Sequence, residues 1–407
     1  MLKAAFQIVI NFFKNINLNK HLKILKSNID AMDYYIFIPY IMLSVIGIIM
    51  VYSASSNIAT QIGGTPTGYL IRQSMFVVIS LIIVLICLCG QNLFVRKGAF
   101  LGLFCIAMAG GLIWLKFFGH SVNGAAGWIP LGPLHIQPAE TAKIYIILVM
   151  SNILANHEND LIHKIRKPVL VQSGFVFFML CMILIQPDLG GTIINALIFV
   201  VIIFASGMNW KGATLISSSM ILGGWIVLKT ALFIFRNGSS NYQIQRILAY
   251  GNPFKYEQGI GHQLVNSYYA LSNGGIFGVG LGNSIQKTGY LPEPNTDFIM
   301  SVISEELGLV GVLLILFLLF IIIVKAFQMG IRANNTYDAL VSYGVGTYLL
   351  VQSYFNIGGV IGLLPITGVT FPFISYGGSS MLTLALCIGM LLVISAKQKI
   401  QRKHKLK

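Results

Sequence analysis

Charge is what this sequence has least of. Asp, Glu, Lys and Arg together make up 10% of its 407 residues, against roughly a quarter in soluble domains, which excludes a soluble globular protein. The shortage falls mainly on one sign, with 12 acidic residues against 27 basic ones. Cysteine is sparse as well. Cys87, Cys89, Cys105, Cys181 and Cys387 all lie in apolar stretches, a placement that excludes a disulfide frame and a zinc-type spacing. No cleavable signal segment, internal repeat, low-complexity tract or soluble domain is recognisable. There is no nucleotide-binding module of the kind an ATP-driven machine requires.

What is present is apolar sequence. Hydrophobic residues make up 56% of the chain, and runs of membrane-spanning length recur along it. The expected fold is an all-α polytopic membrane protein, one membrane domain over residues 1–407. Ten transmembrane helices are expected, at 35–53, 69–88, 99–117, 138–154, 169–185, 192–206, 213–235, 298–327, 339–356 and 380–396. A large extracellular loop, 236–297, joins spans seven and eight; segment 1–34 precedes the 35–396 core and a basic tail, 397–407, follows it.

The net charge of +15 does not indicate nucleic acid. Its basic residues gather at the two termini and in short loops: Arg96 and Lys97, then His163, Lys164, Arg166 and Lys167, then Lys211, then Lys325 and Arg332. That is the pattern of cytoplasmic retention, with attraction to membrane lipids as a consequence. The loop after span one, SNIATQIGGTPTG, carries no charge. Both termini are therefore expected in the cytoplasm. The apolar start LKAAFQIVINFF is read as a helix lying on the inner membrane surface.

This topology puts three long loops outside, at 120–137, 236–297 and 358–379. The second contains QLVNSYYAL, read as a short interfacial helix, and the glycine-rich GGIFGVGLGNS. The third, GLLPITGVTFPFISYGGSS, is irregular sequence in membrane-compatible composition, and such backbone survives only against protein or a wet cavity.

Three carboxylates meet helix N-termini at the outer face: Glu140 after Pro138, Asp188 in QPDLGGT and Asp297 in NTDF. All three suit capping roles. Glu140 stands apart because Lys143, three residues on, shares its helix face; the pair is either functional or a structural ion pair. Asp297 is followed by Glu305 and Glu306, roughly 12–14 Å deeper at ~1.5 Å per residue. At least one of these two is expected to reach a polar cavity or a basic residue in another span, in a proton relay or in orienting the helix. The backbone of GVGLGNS, with Ser284 and Lys287, is a weak candidate phosphate cradle.

The runs YQIQRILAYGNPF, GHQLVNSYYALSNGGIFGVGLGNSIQKTGYLPEPNTDFIMSVISEELG and LLPITGVTFPFISYGGSS, together with NGAAGWIPLGPLHIQPAETAK and QPDLGGT, resemble the SEDS proteins (shape, elongation, division and sporulation). The resemblance runs from the first span to the last and is nearest to the cell-division branch. It implies a ten-span peptidoglycan glycosyltransferase of the bacterial cytoplasmic membrane, polymerising lipid II on the outer face at the division septum. It also implies a class B penicillin-binding protein, the crosslinking transpeptidase, and other divisome proteins as partners. The family's essential aspartate falls on Asp297, its motif Glu and Lys on Glu140 and Lys143, and its loop tryptophan on Trp128. Ser284, Lys287 and Ser375 complete the substrate-binding candidates. No metal-ligand set is recognisable, and a divalent cation, magnesium or manganese, is the one cofactor candidate. The chain departs from the family pattern at Ala126 and Gly127, at Asn295 and at Gly191.

The implied reaction sends the 4-hydroxyl of an acceptor N-acetylglucosamine to the anomeric carbon of a donor N-acetylmuramic acid, with loss of undecaprenyl pyrophosphate. Asp297 is the expected general base. Lys143, held by Glu140, and Lys287 are the expected counter-charges for the leaving group. The competing readings are a lipid II flippase and a non-catalytic scaffold for a transpeptidase.

Overall fold

The computed structural model describes residues 18–61, 65, 67–90, 98–118, 120–122, 125–131, 134–161, 166–234, 250–259 and 261–405. The surface helix expected at 2–13, the loop charges Arg96, Lys97, His163 and Lys164, and all of 236–249 lie outside them.

Each expected span falls on helix. The first elements are α1 (Leu18–Ala31), α2 (Tyr34–Gln61), α3 (Thr67–Cys89) and α4 (Gly98–Phe118). Span four begins as α5 (Pro138–Tyr145), with Pro138 in the first turn, where its missing N–H costs nothing. It then passes through a π-turn (Ile146–Met150) into α6 (Ser151–Asn156). The short α7 (Glu158–Leu161) leads to α8 (Lys167–Ile185), α9 (Leu189–Ala205) and α10 (Trp210–Ile234). After α11 (His262–Gly274) come α12 (Ile299–Ile331), α13 (Thr336–Val360) and α14 (Gly378–Lys405). Among the described residues, six helices are long and apolar enough to cross a membrane, and the apolar 101–115 and 189–205 stretches are shorter.

Burial sorts these helices into an inner and an outer set. On α3, Ile71, Met75, Val78 and Ile82 are exposed apolar side chains at helical spacing, the face that a lipid-contacting helix presents. By contrast α13 is buried along most of its length, through Leu340, Val345, Tyr348 and Leu349. It packs against α9 and α12. The amphipathic α1 lies against α3 and α14, where the Asn28 amide donates to the Leu88 carbonyl at 2.7 Å.

Three local features differ from the sequence reading. Residues 120–136 form an antiparallel sheet of β1 (His120–Val122), β2 (Ala125–Leu131) and β3 (Leu134–Ile136) in the order β1-β2-β3, so the fold is helical with a small sheet rather than all-α. Second, the short helix expected in QLVNSYYAL is the longer α11, and it is packed on the bundle. It buries Leu264, Val265, Ser267 and Ala270 and packs on α12, with the Ser267 hydroxyl donating to the Val360 carbonyl at 2.7 Å.

Third, α12 is two helices. Gly308 breaks it at φ 68°, ψ −171°, and the glycine-rich loop docks into the break through main-chain hydrogen bonds. Val279 N–H donates to the Glu305 carbonyl at 2.9 Å and Gly280 N–H to the Glu306 carbonyl at 3.0 Å. In return Leu309 N–H donates to the Gly275 carbonyl at 3.0 Å and Val310 N–H to the Ile276 carbonyl at 3.2 Å. The break frees these groups from the helix ladder, and the loop satisfies them, as apolar surroundings require. A side chain at Gly308 would bring Cβ to 2.4 Å from both the Gly278 nitrogen and the Ile276 oxygen. Only glycine combines that φ with so close an approach.

Candidate functional site

The site is built at the end of the bundle where α5, α9, α12 and α14 begin and α13 ends. Glu140 lies in the first turn of α5, and Lys143 one turn on points the same way. Lys143 Nζ stands 2.5 Å from Glu140 Oε1 and donates to Gln352 Oε1 at 2.8 Å. The Tyr348 hydroxyl donates to Glu140 Oε2 at 3.0 Å, and the Lys143 ammonium lies 4.6 Å from the Tyr348 ring centre. With Lys143 1% and Glu140 8% exposed, the charges survive burial because each is both paired and hydrogen-bonded.

Asp297 occupies a half-buried turn just ahead of α12. The N-cap position of that helix is Phe298, whose side chain makes no capping hydrogen bond, and Asp297 stands one residue ahead of it. Asp188 does cap its helix: its Oδ1 accepts from Gly191 N–H at 2.7 Å at the start of α9. Of the three acids at this end, Glu140 is thus in an ion pair and Asp188 is a helix cap.

The backbone around Asp297 is clamped by its neighbours. The Asn356 amide donates to the Asp297 carbonyl at 2.9 Å and to the Val369 carbonyl at 2.7 Å. The Ser375 hydroxyl donates to the Thr296 carbonyl at 2.6 Å, and Tyr376 N–H to the Asn295 carbonyl at 2.8 Å. Ser375 thus stitches the last long loop to the Asp297 turn. That loop is itself held in an uncommon conformation: Phe373 has φ 65°, fixed by the Tyr40 ring at 5.3 Å. Such local strain persists only where packing over-determines it.

Gln352 and Asn356, absent from the sequence candidates, join the two halves. They stand four apart on α13, so they share one face. Gln352 takes Lys143 on one side and donates to the Thr370 carbonyl at 2.9 Å on the other. Asn356 takes Asp297 and Val369. Two amides one turn apart in VQSYFN are the signal the sequence offers.

Lys287 and Ser284 belong elsewhere. Lys287 is 3% exposed; its Nζ lies 2.6 Å from Glu306 Oε1 and 2.9 Å from the Ser53 hydroxyl on α2. The Ser284 hydroxyl donates to Glu305, whose carboxylate also accepts from Ile285 N–H at 3.2 Å and Gln286 N–H at 3.3 Å. Of the donors expected to cradle a phosphate, the Ser284 hydroxyl and the Lys287 ammonium are committed to these two carboxylates, and the Gly278, Val279, Gly280 and Asn283 N–H groups to main-chain carbonyls. Glu306 does reach another span, at Ser53, but its basic partner comes from the loop.

Trp128 is half-buried on β2, opposite His120. Its sheet leads through Gln137, whose N–H donates to Ser379 at 3.1 Å, into α5. Among the described residues no group of three or more His, Cys, Asp or Glu is placed to hold a metal ion. Glu140, Glu305 and Glu306 each already carry a lysine or N–H donors, a donor set that does not fit a resident divalent cation.

A sequence profile of the FtsW, RodA and SpoVE family, described as cell cycle proteins, matches residues 33–400. A protein of Enterococcus hirae named "Probable peptidoglycan glycosyltransferase FtsW" is 38% identical over 379 residues, 92% of this chain and 94% of that protein. A protein of the same name from Bacillus subtilis (strain 168) is 36% identical over 390 residues, 94% and 95% of the two chains. Among solved structures, a chain from a peptidoglycan synthase complex is similar with TM-score 0.66 at 24% identity, covering 90% of this chain and 98% of that one. The rod shape determining protein RodA of Thermus thermophilus is similar with TM-score 0.60 at 23% identity and the same coverage. At these identities the structural likeness establishes the fold.

Proposed function

The chain belongs to the FtsW, RodA and SpoVE family, and from that premise we infer that it is a peptidoglycan glycosyltransferase of the division branch. It is a multi-pass membrane protein. In the topology we propose, ten helices cross the cytoplasmic membrane, both termini are cytoplasmic, and the Asp297 end opens outward to lipid II.

Asp297 is the general base. It accepts the proton of the acceptor 4-hydroxyl as that oxygen bonds to the donor's anomeric carbon, the bond to undecaprenyl pyrophosphate breaks, and the configuration inverts. The observation that carries this reading is the clamped turn: the Asn356, Ser375 and Tyr376 hydrogen bonds fix the main chain at Asp297, Thr296 and Asn295. A base aimed by its backbone is pre-organised for proton transfer. Lys143, paired with Glu140 and bonded to Gln352, is the group we assign to the developing charge of the pyrophosphate. Lys287 has no part in the step, and no step is assigned to a divalent cation. Trp128, on the sheet beside α5, borders the substrate path. The transporter reading loses its relay, because Glu305 and Glu306 are saturated by the loop.

The partner is a class B penicillin-binding protein that crosslinks the new strand at the septum; a solved structural relative comes from a complex described as coordinating polymerization and crosslinking. Gel-resolved polymerisation of lipid II by the purified chain with that partner tests the assignment. Asp297→Asn is expected to lower the rate by about 10²-fold or more, the scale of general-base catalysis. A variant that polymerises at the native rate overturns it.

A further inference from the structure

The glycine-rich loop docked at the Gly308 break turns an uncommon surface outward. Ile276 is 61% and Phe277 82% exposed, and Leu281 and Ile285 are also exposed. Residues 263–286 contain no Asp, Glu, Lys or Arg. The nearest charges are buried on the inner side, with Lys287 paired to Glu306 and Glu305 held by the Ser284 hydroxyl and the Ile285 and Gln286 N–H groups. The main chain is largely satisfied too: Gly278, Val279, Gly280, Asn283, Ile285 and Gln286 all donate their N–H groups within the protein. An apolar, uncharged loop with its backbone bonded internally meets the conditions for irregular chain in a low-dielectric medium.

Position supplies the occupant. The loop carbonyls of Gly275 and Ile276 are bonded to Leu309 and Val310, the first residues of α12 beyond the break. From there Leu309, Val310, Leu313, Leu314 and Phe317 are exposed apolar side chains of a helix long enough to cross a membrane. Before the break, Ile299–Glu306 are all buried in protein. Lipid contact on α12 therefore begins at Gly308, level with the loop, and the two apolar surfaces are continuous.

We propose that residues 276–285 form a membrane-seated wedge, with Phe277 and Leu281 inserted into the lipid leaflet on the Asp297 side. Glu305 and Glu306 hold it from behind. The proposal does not depend on the role of Asp297. A benzophenone amino acid placed at Phe277, and separately at Leu281, tests it in the purified full chain reconstituted in phosphatidylglycerol–phosphatidylethanolamine vesicles. Phe317 serves as the lipid-facing control and Lys255, exposed and polar, as the aqueous one. Ultraviolet light is expected to produce a protein–phospholipid adduct, read as a mass shift, at 277 and 281 as it does at 317, and none at 255. Lipid adducts at 317 without any at 277 or 281 overturn the proposal. So does a label at 277 that, in cell membranes, captures only another protein. If one labelled chain fails to fold, the other position decides.

Discussion

Two buried Glu–Lys pairs organise the Asp297 end of the molecule, and they are built to different purposes. Glu306–Lys287 is made between a helix and a loop nineteen residues earlier in sequence; its one further side-chain contact is the Ser53 hydroxyl. Glu140–Lys143 is made within one helix turn and then extended outward, through Tyr348, Thr383 and Gln352, to the loop that flanks Asp297. The first pair closes a loop onto the frame. The second connects the frame to the site. Similar chemistry at similar burial therefore carries no fixed meaning, and the attachments decide.

The largest effect should come from halving either pair. Lys287→Met or Lys143→Met leaves a carboxylate buried without its cation, which costs about 3–5 kcal/mol and should appear as a steep drop in thermal stability in detergent. Replacing both members by apolar residues of similar volume is often close to neutral for stability, and here the comparison becomes decisive. The double variant Lys287→Met/Glu306→Leu should regain both stability and lipid II polymerisation. The double variant Glu140→Leu/Lys143→Met should regain stability and stay inactive. Equal recovery of activity in both doubles would erase the distinction between the two pairs.

The sequence made part of this legible. Apolar run length marked each helix to within several residues at most of its ends, because a span must match the hydrocarbon thickness. The i, i+3 spacing made Glu140 and Lys143 neighbours before any coordinates. Lys287 was assigned to the wrong neighbours because its pairing depends on Gly308, where a helix-compatible apolar pattern conceals a break. Local periodicity does not register a single residue at φ 68°, and the hydrogen bonds that seat residues 275–280 in the break are main-chain ones, which leave no trace in side-chain pattern. The small sheet is hidden for a related reason: β1 and β3 are three residues long, and β2 contains Gly127 and Pro130 and lacks clear alternation.

A smaller effect isolates the connecting arm. Asn356→Leu keeps the volume and removes both donors, leaving the carbonyls of Asp297 and Val369 without their amide; about 1–3 kcal/mol of stability is at stake. If the amide positions Asp297, turnover should fall several-fold with KM for lipid II little changed, since the loss is felt mainly in the transition state. In an Asp297→Asn background the same substitution should add no further loss of rate, since the base it aims is gone. Additive losses would make Asn356 a packing residue only.

The smallest effect lies at the other end of the molecule and sets the lower bound of the comparison. Asp160 and Arg166 form an ion pair at 2.7 Å with both side chains well exposed. The Arg166 guanidinium, by its hydrogen bond above all, holds the Asp160 carboxyl below the usual carboxylate range. A carboxyl whose folded pKa is depressed adds stability above its unfolded value, near 3.9 for Asp, and loses it as pH falls through the folded value. Water and salt screen so exposed a pair. Arg166→Gln should therefore leave thermal stability at neutral pH within measurement error, and any difference from the native chain should vanish in acid. A shift at pH 7 as large as that of Lys287→Met would mean that burial is not what separates these pairs.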